Sequence, residues 1–363
     1  SVPFPGGFRL PPHADGTLPL PLDVPAKGKC FVNICYHCKQ DSALIKADHL
    51  LGFDEIPLQN SDPRNQDAVQ LLGRPAGDGL ITIRETDRML VLSCEQFTYV
   101  FNKLTGLFDK MTFANEPLLD QPMGFNVWRA PTDNDRKLKA DWYAAHYDHA
   151  ATNAYHTEYT VTASGVTLHT HVGIAAICVQ KFLDLDVTWT VANNGSVDLA
   201  LHAQRNTVFP ELPRFGLRLF LPQEMSQVNY YGMGPMECYC DKHHAASHNS
   251  YTATVWQLHE DYIRPQENGS HFDCDYVMLA GDAVRLTAVG TQPFSFNASH
   301  YTQEELTRKA HNYELEPCSS TVLCLDYAQN GIGSESCGPR LLEQYRLDDA
   351  TFNFGLRLFP EKK

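Results

Sequence analysis

From Cys30 the chain alternates: Cys30, Val32, Ile34, Tyr36 and Cys38 fall on one face, and Phe31, Asn33, Cys35 and His37 on the other. A period of two predicts a β-strand. Residues 80–84, 89–93, 96–102 and, after a turn at Thr105 and Gly106, 107–113 repeat the signal at the spacing of a β-meander. Asn-Gly pairs at Asn194, Asn268 and Asn330 supply residues that tolerate positive φ between apolar runs, as hairpins and tight loops require. Helical patterning is confined to two short stretches. Leu138, Trp142 and Ala145 share one face of residues 137–150, and Thr302 with Glu305 makes a capping-box pattern before Leu306. About fifteen strands with two helices predict stacked antiparallel sheets, and the lack of β-α-β-α alternation excludes a complete (β/α)8 barrel. The hexapeptide at residues 215–220 recurs at 354–359, but six residues of generic strand pattern do not make a repeat.

The 363 residues exceed one small domain. Polar residues 59–67 break the alternation, and a boundary near residues 70–75 divides the chain into domains at 1–72 and 73–363. The first 29 residues are rich in proline and glycine and open on Ser1 rather than Met, so the sequence reads as one met partway through a longer protein. With 29 basic and 43 acidic residues the formal charge is −14, which disfavours nucleic acid and anionic membrane surfaces as partners. No window approaches the 18 consecutive apolar residues of a membrane span. Eleven cysteines without scaffold spacing read as reduced thiols of a cytoplasmic protein. Cys35 and Cys38 form a lone CxxC, and no second pair completes a zinc site.

The densest polar cluster is Trp128, Arg129, Ala130, Pro131, Thr132, Asp133, Asn134 and Asp135. An indole beside a guanidinium and carboxylates suits a sugar, whose CH face stacks on aromatics and whose hydroxyls need donors and acceptors. The structural reading of the same residues is a corner, with Arg129 paired to a carboxylate and residues 132–135 in side-chain-to-backbone turns. Two further clusters, residues 232–242 and 262–269, combine loop formers with Glu237, Asp241, Glu267 and Asn268. Glycoside hydrolysis needs two carboxylates about 5 to 10 Å apart; Glu237 with Glu267 is a conceivable pair that sequence separation cannot test. No GxSxG, GxxxxGK, HExxH or dinucleotide fingerprint occurs.

Residues 125–135 (FNVWRAPTDND) resemble a motif of the small-chain domain at the C-terminus of large, lactose-cleaving bacterial β-galactosidases of glycoside hydrolase family 2. Residues 231–242, 262–269 (YIRPQENG), 301–315 and 331–339 (GIGSESCGP) agree with that family in order. Residues 18–58 resemble the end of the immunoglobulin-like domain that precedes it. The resemblance implies an all-β chain: a large antiparallel β-sandwich of the galactose-mutarotase-like type, preceded by part of an immunoglobulin-like β-sandwich. It also implies that the catalytic glutamates, with the magnesium and sodium sites, lie on a central barrel and an N-terminal domain that this chain lacks. No catalytic residue, metal ligand or cofactor is therefore assigned here. The expected partners are a β-galactoside substrate and the barrel and N-terminal domains of the same enzyme, a homo-oligomer when complete.

One contact carries over by resemblance. The loop at residues 331–339 reaches the sugar in the family, which makes Cys337, Ser336 and Glu335 the candidate substrate-binding residues, with Arg136 and Lys139 toward the pocket rim. Cys337 stands where the family has a sugar-facing tryptophan, and Lys242 where an arginine is usual, so a single point contact replaces a bidentate one. A buried thiol is the competing reading of Cys337. Trp128, Arg129, Asp133, Asn134, Asp135, Glu237, Asp241, Glu267 and Asn268 are expected to be structural. An alternative for the whole chain is a free-standing carbohydrate-binding or aldose-epimerase-like protein, which would need His202 or His271 poised with Glu237 or Glu267.

Overall fold

The computed structural model describes residues 10–25, 27–58, 64–333 and 337–363. The chain divides into two compact units, Ser1–Pro63 and Arg64–Lys363. In the first, β1 (Cys30–His37) and β2 (Leu50–Leu58) form a two-stranded antiparallel sheet. The alternation that predicted β1 is the register of this pairing, from Cys30 opposite Leu58 to Tyr36 opposite Gly52.

The expected boundary at residue 72 is corrected to residue 63. Residues 66–72 form a helix, α1 (Gln66–Leu72), that belongs to the second unit. Asn65 caps it, its Oδ1 accepting from Asp67 N at 2.8 Å, and Asn65 N donates to Asp275 at 2.9 Å. Ala68 is buried against Tyr276 and Val289, so burial of this one face places the helix with the larger sheet.

The second unit opens with the expected meander, now five strands: β3 (Thr82–Glu85), β4 (Met89–Ser93), β5 (Phe97–Asn102), β6 (Leu107–Phe113) and β7 (Glu116–Pro117). Twelve further strands form one antiparallel sheet. They are β8 (Gln121–Asn126), β9 (Ala151–Thr162), β10 (Gly165–Ala175), β11 (Leu183–Ala192), β12 (Val197–Arg205) and β13 (Arg214–Pro222). After these come β14 (Gln227–Gly234), β15 (Ser247–Thr254), β16 (Ser270–Ala280), β17 (Val284–Ser299), β18 (Ser320–Gln329) and β19 (Thr351–Lys362).

The long strand β17 pairs on one side with β16, which leads on to β14 and β15, and on its other side the sheet splits into two arms. Residues 284–290 pair with β19, which leads on to β12, β11, β10 and β9, whereas residues 295–299 pair with β18, which leads to β13 and β8. The strand bends between them at Gly290, where a Cβ would lie 2.1 Å from the Gln292 carbonyl oxygen. The arms share one apolar core: Phe215 of β13 meets Phe352 of β19 edge to face at 5.0 Å. The meander covers the β19 arm, with Phe108 edge to face on Trp189 of β11 at 5.3 Å and Trp189 Nε1 donating to Gly106 O at 2.9 Å. The architecture is the large antiparallel β-sandwich that the strand pattern predicted.

Both helical signals form short helices. Leu138, Trp142 and Ala145 are buried on α2 (Leu138–Ala144) and its C-cap. Thr302 caps α3 (Gln303–Arg308), its Oγ1 accepting from Glu305 N at 3.1 Å. Of the Asn-Gly pairs, Gly195 and Gly269 take positive φ, as tight turns require. The glycine after Asn330 does not.

Candidate functional site: a clamped loop

Two sequence clusters, at 128–135 and 232–242, grip residues 330–333, and a third, at 262–269, braces them from behind. Arg129, with no solvent exposure, pairs with Asp135 through Nε at 3.3 Å and Nη2 at 2.8 Å. The rest of the guanidinium turns to the loop, donating to Asn330 O and, at 3.0 Å, to Gly331 O. The fork geometry of arginine allows a carboxylate and two carbonyls to be satisfied together. Asp135 also accepts from Thr132 N at 2.9 Å, closing the corner, and the Trp142 ring lies 5.1 Å from the guanidinium. Asn134 Nδ2 donates to Ile332 O at 2.7 Å. Asp241 accepts from Ile332 N at 3.0 Å and from Gly333 N at 2.7 Å.

Beneath this lies a second buried ion network. Arg214, fully buried on β13, pairs with Asp326 on β18 and with Glu267 at 3.0 Å. Gln329 Nε2 joins Ser270 Oγ at 3.0 Å and Asp326 at 3.4 Å. Burial pushes the carboxyls of Glu267 and Asp326 above the usual carboxylate range, with Arg214 working against it in each. The two networks are tied together by Glu267 N, which donates to Ala130 O at 3.0 Å.

Glu237 completes the frame. It accepts from Lys242 Nζ at 2.6 Å, from the Tyr262 hydroxyl, and from Gly269 N at 2.8 Å. Burial opposes the charge on Lys242, but the bond to Glu237 holds its pKa above the usual lysine value. Asn268 accepts from Glu260 N at 3.1 Å and receives the Asn297 amide on its carbonyl at 2.6 Å.

Trp128 is buried, with its Nε1 donating to Thr307 Oγ1 at 3.1 Å, so its indole face is not offered to a ligand. Asp133 is exposed and its N–H donates to Gln266 at 3.2 Å. Arg136 is exposed and Lys139 half-buried, flanking the start of α2. Cys337 is exposed in this chain. Ser336 and Glu335 lie outside the described residues. Sequence reasoning missed Arg214, Asp326 and Glu211, the last of which holds Arg340 at 2.7 and 2.8 Å on the far leg of the loop. Each sits in an ordinary strand or loop pattern that carries no local mark of its role.

The histidines of the epimerase reading are engaged with other partners. His202 is exposed and bonds Asn353 at 2.9 Å. His271 is buried, bonds the Tyr230 hydroxyl at 3.1 Å, and is pushed down to about 4 by that burial. Glu267 is spent on Arg214. Among the described residues no three His, Cys, Asp or Glu side chains are grouped to hold a metal ion, and no helix is long and apolar enough to cross a membrane.

The fold and site thus define a β-sandwich domain built to hold one loop by its base. The chain belongs to the β-galactosidase small chain family, whose model matches residues 93–358. It is 37% identical over 351 residues to a β-galactosidase of Actinobacillus pleuropneumoniae, covering 97% of this chain and 34% of that protein. A Staphylococcus xylosus β-galactosidase is 34% identical over 348 residues, covering 96% of this chain and 34% of its own length. The chain therefore spans about a third of the curated relatives it matches. Among solved structures, a galactose 1-epimerase from Lactobacillus acidophilus is similar at 9% identity and a TM-score of 0.44, covering 78% of this chain and 99% of the epimerase.

Proposed function

We propose that this chain is the C-terminal, non-catalytic portion of a retaining β-galactosidase that hydrolyses terminal β-D-galactosyl residues, and that it completes the sugar pocket with the loop at residues 331–339. The observation that carries this reading is that Arg129 and Asn134 of the motif at 125–135 and Asp241 of the motif at 231–242 grip the base of that one loop, with the motif at 262–269 bracing both from behind through Glu267 N to Ala130 O and Gly269 N to Glu237. A fixed base is what a binding contact carried on a loop requires.

Bond cleavage belongs to other parts of the complete enzyme. A retaining mechanism needs two carboxylates about 5 Å apart across the glycosidic bond, one free to attack and one to donate a proton. Glu267 is buried against Arg214 and Glu237 is engaged by three donors, so neither is available. The magnesium and sodium of the complete enzyme would likewise be held by its barrel and N-terminal domains. Ser1–Pro63 is read as part of an immunoglobulin-like sandwich; a two-stranded sheet is marginal alone and needs further strands to bury a face.

The test is an aryl β-galactoside assay of the chain alone and mixed with the remaining portion of the enzyme. No turnover alone and turnover in the mixture is the expected result. Turnover by the isolated chain that Glu237→Gln or Glu267→Gln abolishes would overturn it.

A further inference from the structure

We infer that Asp241 is the positioning residue of this loop and tunes substrate affinity without touching substrate. The inference rests on the proposed role of the loop in the sugar pocket.

Asp241 stands in a tight turn. Tyr239 N donates to Lys242 O at 2.9 Å and Lys242 N returns a bond to Tyr239 O at 3.0 Å. That turn is fastened by Lys242 to Glu237, and Glu237 in turn to Gly269 N. From this frame the two carboxylate oxygens of Asp241 take consecutive N–H groups, Ile332 on Oδ1 and Gly333 on Oδ2. Two charge-assisted bonds to adjacent peptides fasten Ile332 and Gly333, the base of the loop, to this frame.

The loop is matched to this carboxylate. A Cβ at Gly331 would lie 2.7 Å from Asp241 Oδ2, and one at Gly333 would lie 3.0 Å from it. Neither glycine has positive φ, so close approach to Asp241, rather than backbone conformation, is what calls for glycine here. Arg129 grips the same segment from the core, but its removal would strand Asp135 in the interior. Asp241 is only half-buried, so it can be changed without leaving an unpaired buried charge. A loop contact that binds ground and transition states alike raises KM and leaves kcat when it is loosened.

The test has two arms. In the complete enzyme, Asp241→Ala should raise KM about tenfold with kcat within about twofold, and Asp241→Asn, which keeps one acceptor, should give about threefold. In the chain itself, with the exposed Cys35 and Cys178 replaced by serine, a nitroxide on Cys337 should show a narrowed resonance in Asp241→Ala. Gly331→Ala, which pushes the loop off an intact carboxylate, should narrow it too. Should Asp241→Ala fail to fold, Asp241→Asn serves in both arms. An unchanged line shape overturns the positioning role whatever the kinetics. If Cys337→Trp shifts KM while Asp241→Ala leaves it unchanged, the inference fails alone; if neither shifts KM, the proposed role of the loop fails with it.

Discussion

Arg214 and Asp326 meet across the paired strands β13 and β18, with Nε donating to Oδ1 at 3.2 Å and neither side chain exposed to solvent. A register shift between Phe215 and Gly216 sets the two strands so that Arg214 lies opposite Gln329 and Gly216 opposite Asp326. The guanidinium then reaches both Asp326 and Glu267. One cation serves two buried carboxyls beneath the loop base.

Arg214→Met should therefore cost about 4 kcal/mol at neutral pH, because it leaves both carboxyls buried without their counter-charge. The loss should shrink on acidification. Burial already raises the folded pKa of Glu267 and Asp326, so in the variant they take up protons as the pH falls, and the neutral forms tolerate the interior. Urea unfolding at pH 7 and pH 5 measures both effects. A loss under about 1 kcal/mol at pH 7, or one that grows in acid, contradicts this account.

His271 should make the fold acid-sensitive. Its folded pKa of about 4 lies below the unfolded value of 6.5, so the unfolded chain binds the proton first. The contribution is complete above pH 6.5 and is lost as the pH falls toward 4, amounting to about 3 kcal/mol. The ring stacks on Phe296 at 5.0 Å and its Nε2 has no partner, so His271→Phe keeps the packing and removes the titration. The difference in stability between wild type and His271→Phe should change across this window and level off below it. A difference that stays constant from pH 7 to pH 4 refutes the prediction.

The thiols should divide by position. Burial pushes Cys238 and Cys324 up to about 11 and Cys240 up to about 12, so these remain protonated and unreactive at neutral pH. Cys35, Cys178 and Cys337 are exposed. Brief iodoacetamide treatment of the native chain, read by peptide mass spectrometry, should modify the second group and spare the first until denaturant is added. Because Cys337 is exposed, Cys337→Trp should leave the melting temperature within about 2 °C. A drop of 8 °C or more would return Cys337 to the core.

The local pattern along the chain determined most of the elements. Met89–Ser93 and Leu107–Phe113 form strands at the bounds their alternation predicted, and Leu138, Trp142 and Ala145 face inward as their spacing required. Side-chain periodicity is a property of neighbouring residues, and it survives whatever the strand later pairs with. The ordered motifs also identified the family, and their turn-forming residues marked the corner at Arg129. Tertiary structure decided what local pattern does not carry. Whether residues 66–72 end one unit or begin the next depended on Tyr276 and Val289, two hundred residues away. The glycine after Asn330 resembled a hairpin residue, yet its reason is the Asp241 carboxylate. Arg214 could have met any of 43 acidic residues; the strand register brought it to Asp326 and Glu267. Burying a charge demands a partner within hydrogen-bond reach, but which partner comes within reach is set by the packing of distant strands.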